Sequence, residues 1–325
     1  MTQLPLVCSV VLTYNNFADT DEAIRSLRSQ DYARHEVIVV DNGSSDGSPA
    51  ELERRWRGEV RFVATGRNLG ISGGYNAGIR AALAAGAEYV VTCNNDIVAD
   101  PAFIGALIEV FTEAPEAGVA VPIVVYFDRP EVIWFARVTM HPVLGYTRNR
   151  FRGQPLARVA GSLRGIQKSD FVPTCATMLS RRALEEIGLL DDRFFFGHDD
   201  VDMCLRARKK GYACVVLGRP LVKHKVSVTS GVRGSNVLKP ATAYTHAVGS
   251  VLIGAKHFRG VAGLPFLFGL LALRLPYNVF TMALAGQWRS ALAYLRGLGV
   301  GLLRYGPSFV WAADEGDAKA DAGGL

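Results

Sequence analysis

The feature that most constrains this chain is an alternation, over its first hundred residues, between short apolar β-branched runs and amphipathic stretches of helical period. The runs VCSVVLTY, VIVVD, VRFVAT and YVVTCNND are separated by Asp19 to Ser29, Pro49 to Trp56 and Gly74 to Ala85. Strands of this kind, joined by segments long enough for right-handed crossovers, pack as a mostly parallel α/β sheet with flanking helices. A helix is expected from about Pro101 to Thr112, followed by the strand VAVPIVVYF. Residues 130–169 are irregular and carry Arg148, Arg150, Arg152, Arg158, Arg164 and Lys168, as a solvated loop or a flexible basic lid would. Regular structure returns with FVPTCATMLS, helices from Arg181 to Ile187 and from Asp200 to Gly211, and a last strand ACVVLG.

A chain of 325 residues can hold one large α/β domain and an appendage. The composition shifts place the domain at 1–240, with halves at 1–127 and 128–240, a helical extension at 241–310 and a disordered tail at 311–325. Charge is segregated along the same lines. Residues 203–313 carry fifteen Lys and Arg and no Asp or Glu, interleaved with Leu, Ala, Val and Phe. That pattern suits an anionic membrane surface, and no helix-turn-helix, zinc-finger or RNA-binding aromatic signature accompanies it, so nucleic acid is not an expected partner. The stretch VAGLPFLFGLLALRLPYNVFTMALAG is interrupted by Arg274 and Pro276 and is expected to fall short of a spanning helix. In the helix from Trp288 to Arg304, residues Arg289, Arg296 and Arg304 share a face, as in an interfacial helix or a helix packed on the domain with its arginines in water. Five cysteines, Cys8, Cys93, Cys175, Cys204 and Cys214, show no C-x-x-C pairing and suit a reducing compartment. The amino terminus reads as a strand rather than a signal peptide, so the expected location is cytoplasmic.

Four polar clusters fall at the carboxyl ends of expected strands, where open α/β sheets bind ligands. Thr13, Tyr14 and Asn15 end the first. Asp41 ends the second and opens DNGSSDGS, either a ligand-facing carboxylate or an ordinary helix-capping turn. RNLGISGGYNAG sets Gly70, Gly73 and Gly74 just before a helix amino terminus, where backbone can approach an anion. Its spacing is not G-x-G-x-x-G and no Walker lysine is present, which argues against hydride transfer and P-loop chemistry. Asn94, Asn95 and Asp96 end YVVTCNND, a hard-oxygen site suited to a divalent cation, Mn²⁺ or Mg²⁺, that keeps water and borrows diphosphate oxygens.

In this order the motifs resemble those of the inverting glycosyltransferases of family 2, which have the GT-A fold, and especially their bacterial rhamnosyltransferase-like members. The resemblance covers about residues 7–230 and is most specific at GLLDDRFFFGHDDVDMCLRARKKGY. It implies that Thr13, Asn15, Asp41 and Asn68 hold the nucleoside, with Tyr14, Gly70, Gly74, Asn94 and Asn95 around the donor. It implies further that Asp96 is the main metal ligand of a D-x-D element, His224 a later metal ligand, and Asp199 and Asp200 the acidic pair whose second member is the base. Asn94 departs from the pattern, standing where the family has a carboxylate. His198 is a weaker candidate for the base. Asp202 reads as a structural carboxylate in a first helical turn. Arg206 and Arg208 cover a diphosphate or face solvent, and Trp134 and Phe194 to Phe196 pack, with Trp134 also placed to stack on a sugar.

The Q-x-x-R-W element of processive synthases is absent, so one sugar per encounter is expected. The implied partners are a nucleotide-diphospho-sugar, with dTDP-L-rhamnose favoured and UDP-sugars open, and a glycan or lipid-linked acceptor. The implied place is the cytoplasmic face of a bacterial inner membrane. The rival is a non-catalytic nucleotide-sugar- or carbohydrate-binding protein of the same fold.

Overall fold

The computed structural model describes residues 3–226 and 239–309. In chain order the first part contains β1 (Val7–Thr13), α1 (Phe17–Arg28), β2 (His35–Asp41), α2 (Ser48–Arg55), β3 (Arg61–Ala64), α3 (Gly70–Ala84) and β4 (Tyr89–Asn94). Next come β5 (Ile97–Ala99), α4 (Phe103–Glu113), β6 (Ala117–Tyr126), β7 (Ile133–Phe135), β8 (Val138–Met140), β9 (Thr147–Asn149) and α5 (Leu156–Val159). The part closes with β10 (Ile166–Lys168), β11 (Ala176–Ser180), α6 (Arg181–Ile187), α7 (Asp199–Lys209) and β12 (Ala213–His224). These elements form one unit, and His141–Tyr146 together with the chain after residue 227 forms a second.

The main sheet runs β3-β2-β1-β4-β11-β6-β12-β10, with β5 on β12 and β7 on β6. β1 pairs parallel with β2 and β4, β2 with β3, and β6 with β12, while β11 enters antiparallel between β4 and β6. The apolar runs are continuous because helices cover the parallel strands, so almost every residue of β1, β4 and β6 is buried. Helix and sheet fit closely at Gly78 of α3, where a Cβ would lie 2.2 Å from a methyl of Val10. All five cysteines are free and buried, and burial pushes the Cys8 thiol up to about 12, so these thiols pack rather than react. The irregular basic region resolves into β7 to β10 and α5, short strands and a single turn of helix.

The second unit contains α8 (Pro240–His257), α9 (Gly263–Phe268), a π-helical turn Gly269–Arg274, α10 (Leu275–Leu284) and α11 (Trp288–Tyr305). α8 and α11 approach closely because glycines face the contact: a Cβ on Gly297 would meet the Tyr244 carbonyl oxygen at 2.4 Å. The expectation that Arg274 and Pro276 interrupt a spanning helix is corrected here. Gly263–Leu284 is one helical run of 22 residues, long and apolar enough by length and composition to cross a membrane, and only 17% of its most apolar window is buried. The wider π turn just before Pro276 accommodates a ring that would clash in a regular helix. The expected tail at 311–325 and the end of the last strand segment beyond residue 226 lie outside the described residues.

Candidate active site

Strand register brings the first clusters together. β1 and β2 run parallel with Thr13 opposite Asp41, so both polar ends emerge at one edge. Asn15 has a φ of 50°, a left-handed conformation that Asn tolerates better than most residues. From there its backbone N–H donates to Ser44 Oγ at 2.9 Å and its side-chain oxygen accepts the Ser45 N–H at 2.7 Å. The Ser44 N–H in turn donates to Asp41 Oδ1 at 3.1 Å, so the partly exposed Asp41 carboxylate caps the DNGSS turn. Tyr14 stands exposed beside it. Thr13 is buried, its hydroxyl 2.7 Å from that of Thr20, and Asn95 Nδ2 donates to Thr20 at 3.1 Å. Thr13 and Asn95 therefore brace the strand end through bonds within the protein.

Asn42 was not singled out in the sequence, yet it organises the third cluster. Buried, it donates to Asn68 Oδ1 at 3.2 Å and Gly70 O at 3.0 Å, and accepts the Leu69 N–H at 3.0 Å. Asn68 caps the Gly70 N–H at 2.9 Å, and α3 begins at Gly70, four residues earlier than the pattern suggests. Gly74 therefore lies inside the helix, where a Cβ would meet Leu12 at 2.4 Å. Close packing accounts for that glycine.

The first turns of α3 grip the segment that leads to the acidic pair. Gly70 has a φ of 74°, and a Cβ there would lie 2.4 Å from Phe195 O, which accepts the Ile71 N–H at 2.8 Å. Ser72 Oγ donates to Phe194 O at 2.7 Å, and Asn76 Nδ2 donates to Leu190 O at 2.8 Å and Asp192 Oδ1 at 2.6 Å. Ser72 and Asn76, also missed, could have been found as polar residues on an otherwise small and apolar helix face. Asp199, Asp200 and Asp202 then occupy the first turn of α7, where the helix dipole favours negative charge.

Asp199 is buried and accepts the Thr174 hydroxyl at 3.2 Å. Burial pushes its carboxyl up to about 6, against the pull of backbone N–H groups and Thr174. Asp200 keeps some surface, but burial of its carboxylate and the neighbouring Asp199 charge raise it well above the ordinary carboxylate range. Asp202 instead holds Arg206 at 2.8 Å, and Arg206 also donates to Ile187 O and Gly188 O. Arg208 pairs with Asp170 at 3.0 Å. The two arginines are thus committed to the protein.

The fourth cluster meets the last strand. β12 pairs with β5, His224 opposite Ile97, which brings His224 Nε2 to 3.0 Å from Asp96 Oδ1 across 128 positions of sequence. Both residues are buried. Trp134 stands edge-on to the His224 ring at 4.4 Å; the register of β7 on β6 skips it, so it is the extra residue of a bulge, a device that re-aims a side chain. Trp134 therefore packs on a site residue. Asn94 accepts the Tyr75 hydroxyl at 2.8 Å, and its N–H donates to Cys175 O at 2.9 Å. Through that pairing, Thr174 with its bond to Asp199 lies one residue from the contact to Asn94, and the Cys175 thiol feels the charge of both Asp96 and Asp200.

Among the described residues no three His, Cys, Asp or Glu side chains group as a metal cage. A carboxylate oxygen and an imidazole nitrogen facing each other fit a divalent cation that completes its shell with water and ligand oxygens.

The family model for glycosyl transferase family 2 matches residues 8–188. This chain belongs to glycosyl transferase family 2. It is 28% identical over 245 residues, 68% of this chain and 76% of the relative, to the N-acetylglucosaminyl-diphospho-decaprenol L-rhamnosyltransferase of Mycobacterium tuberculosis. To the dTDP-rhamnosyl transferase RfbF of Shigella flexneri it is 27% identical, covering 63% of this chain and 64% of that one. Among solved structures it resembles the mannosyltransferase PcManGT of Pyrobaculum calidifontis, in complex with GDP-Man and Mn²⁺, with a TM-score of 0.54 at 20% identity over 94% of this chain and 83% of that one. Residues 1–349 of TarS from S. aureus match with a TM-score of 0.54 at 16% identity, over 90% and 81% of the two chains. The fold is of the GT-A type, and the chain is a family 2 glycosyltransferase, rhamnosyltransferase-like, that uses nucleotide-sugar donors.

Proposed function

We propose that this glycosyltransferase adds one sugar at a time, from a nucleotide diphosphate donor with dTDP-L-rhamnose favoured, to a hydroxyl of a glycan or lipid-linked acceptor, with inversion. The observation that carries the reading is that two separate carboxylate sites, Asp96 with His224 and Asp199 with Asp200, both come close to the Thr174–Cys175 segment. The donor's nucleoside is assigned to the edge formed by Asn15, Asp41 and Asn68, with Tyr14, Gly70 and Asn94 around it. Asp96 and His224 would hold a divalent cation, Mn²⁺ or Mg²⁺, which when bound neutralises the departing diphosphate.

Asp200 is the base. At a helix start, on a residue that keeps some surface, its carboxylate accepts the proton of the attacking hydroxyl, so the acceptor oxygen reaches the anomeric carbon as the diphosphate leaves from the opposite face. Asp199 orients and electrostatically tunes Asp200 from behind. Rhamnosyl donors are favoured because two of the relatives named above carry rhamnosyltransferase names, and the lipid-linked acceptor because one of them names a diphospho-decaprenol. The second unit is assigned to an anionic membrane surface, since it is basic, lacks carboxylates in its described residues and exposes large apolar side chains along Gly263–Leu284. Such a transferase works from the cytoplasmic face of the membrane.

The test is release of nucleoside diphosphate from a panel of nucleotide sugars with and without Mn²⁺ and acceptor. Turnover of dTDP-L-rhamnose above UDP- and GDP-sugars is expected; equal hydrolysis of all donors, or none, refutes the assignment.

A further inference from the structure

Arg274 is an unusual residue for its place. It ends the π-helical turn in the middle of an apolar helix, and single π turns are frequent at functional positions. Its flanks Leu271, Leu273 and Tyr277 are exposed, while its own side chain is half-buried over the Phe266 ring, 4.7 Å from the centroid. Among the described residues the buried guanidinium Nε has no hydrogen-bond partner, and Nη2 reaches only the Leu144 carbonyl, at 3.4 Å.

No carboxylate occurs at 141–146 or 239–309, so nothing described in this unit neutralises the charge. Polar groups gather there nonetheless. Asn278 donates to the Tyr294 hydroxyl at 2.9 Å, and Tyr294 and His246 both lie within electrostatic reach of Arg274. Burial first, and then the Arg274 charge, push His246 down to about 4, so it is neutral at pH 7 and the charge of the cluster is that of Arg274 alone. A half-buried guanidinium among apolar side chains is costly unless an anion meets it, and a guanidinium fork matches phosphate oxygens.

We propose that Arg274, lined by Tyr294 and Asn278, binds the phosphate of an anionic phospholipid whose acyl chains lie along the exposed face of Gly263–Leu284. The inference rests on the membrane reading above and adds to it a specific headgroup site. Two features argue for a bilayer lipid: the phosphate must come attached to something apolar, because the site is ringed by exposed Leu, Phe and Tyr, and the rest of the unit is basic.

The experiment is flotation of the full-length protein with vesicles of phosphatidylcholine, of phosphatidylcholine with phosphatidylglycerol, and of phosphatidylcholine with a polyprenyl phosphate, comparing wild type, Arg274→Gln, Arg274→Lys and Arg296→Gln. Arg296 is exposed on α11 and reports the loss of one diffuse charge. Loss of a diffuse charge weakens binding about fivefold, whereas loss of a seated guanidinium should weaken phosphatidylglycerol binding about tenfold or more, with Lys restoring only part of it. Equal losses in Arg274→Gln and Arg296→Gln overturn the site but leave the membrane reading standing. Equal binding of wild type to phosphatidylcholine and phosphatidylglycerol overturns the site and the anionic part of the membrane reading, and a wild type that floats with neither sinks both. A larger Arg274 effect on polyprenyl phosphate than on phosphatidylglycerol overturns the bilayer-lipid assignment. If Arg274→Gln loses its fold by circular dichroism, the Lys variant decides: wild-type binding refutes the site, and a severalfold loss supports it.

Discussion

At the scale of single residues, the acidic pair shows how one environment divides two identical side chains. Asp199 is sealed under Thr174, whereas Asp200 keeps a path to the surface, so Asp200 is the one an acceptor can reach. Asp200→Asn should lower turnover ~10²- to 10⁴-fold at saturating acceptor with donor affinity, measured by calorimetry, little changed. Loss of turnover in Asp199→Asn alone would reassign the base. Because the base acts ionised and burial with the neighbouring Asp199 charge raises Asp200 well above the ordinary carboxylate range, the acid limb of kcat/KM should lie well above that of an ordinary carboxylate.

The same shift bears on stability. Asp199 sits at about 6 in the fold against an ordinary 3.8, so the fold favours its protonated form; that contribution is full below about pH 4 and is lost as pH rises through 6. Thermal unfolding should therefore find Asp199→Asn more stable than wild type at pH 8, by about 2–3 kcal/mol, with the gap closing toward pH 4. At the other carboxylate, Asp96→Ala should abolish the gain in nucleoside diphosphate affinity on replacing EDTA by Mn²⁺. Equal affinities in EDTA and Mn²⁺ for the wild type would remove the cation from the proposal.

At the scale of elements, the start of α3 acts as a clamp on the segment 190–196. The clamp depends on Gly70, which holds a left-handed φ and has the Phe195 backbone against its Hα. Gly86 has a φ of 88° and nothing within 4 Å, so it provides a control for strain without contact. Gly86→Ala should cost about 1 kcal/mol in chemical denaturation, and Gly70→Ala about 2–4 kcal/mol with a fall in turnover, since backbone rather than a flexible side chain must yield. Equal costs would show that Gly70 is there for its φ alone.

At the scale of the molecule, the first unit holds all the carboxylates among the described residues, and the helical unit holds cations and exposed apolar surface. Leu264, Phe280, Leu284 and Leu303 are each more than half exposed. Each apolar side chain buried in a membrane adds about 1.5–3 kcal/mol, so replacing these four by Gln should weaken flotation with anionic vesicles by at least ~10²-fold and reduce aggregation of the purified protein. Unchanged flotation would mean that this face meets something other than lipid.

The sequence by itself determined the sheet and its crossover helices, because continuous β-branched runs between amphipathic stretches leave few other ways to bury their surface. It also placed Asp41 and Asp96 at strand ends, while Asp199, Asp200 and His224 were marked by the resemblance to family 2 rather than by the pattern. Only the tertiary structure set His224 against Asp96 and Thr174 beneath Asp199, because strand order and register join residues far apart in the chain. It also decided what the polar residues within the protein do: Asn42, Ser72 and Asn76 look unremarkable in a row of letters, and only a partner brought from elsewhere turns them into the bonds that hold the site. The helical run through Pro276 belongs there too, since whether a proline ends a helix depends on whether the turn before it can widen.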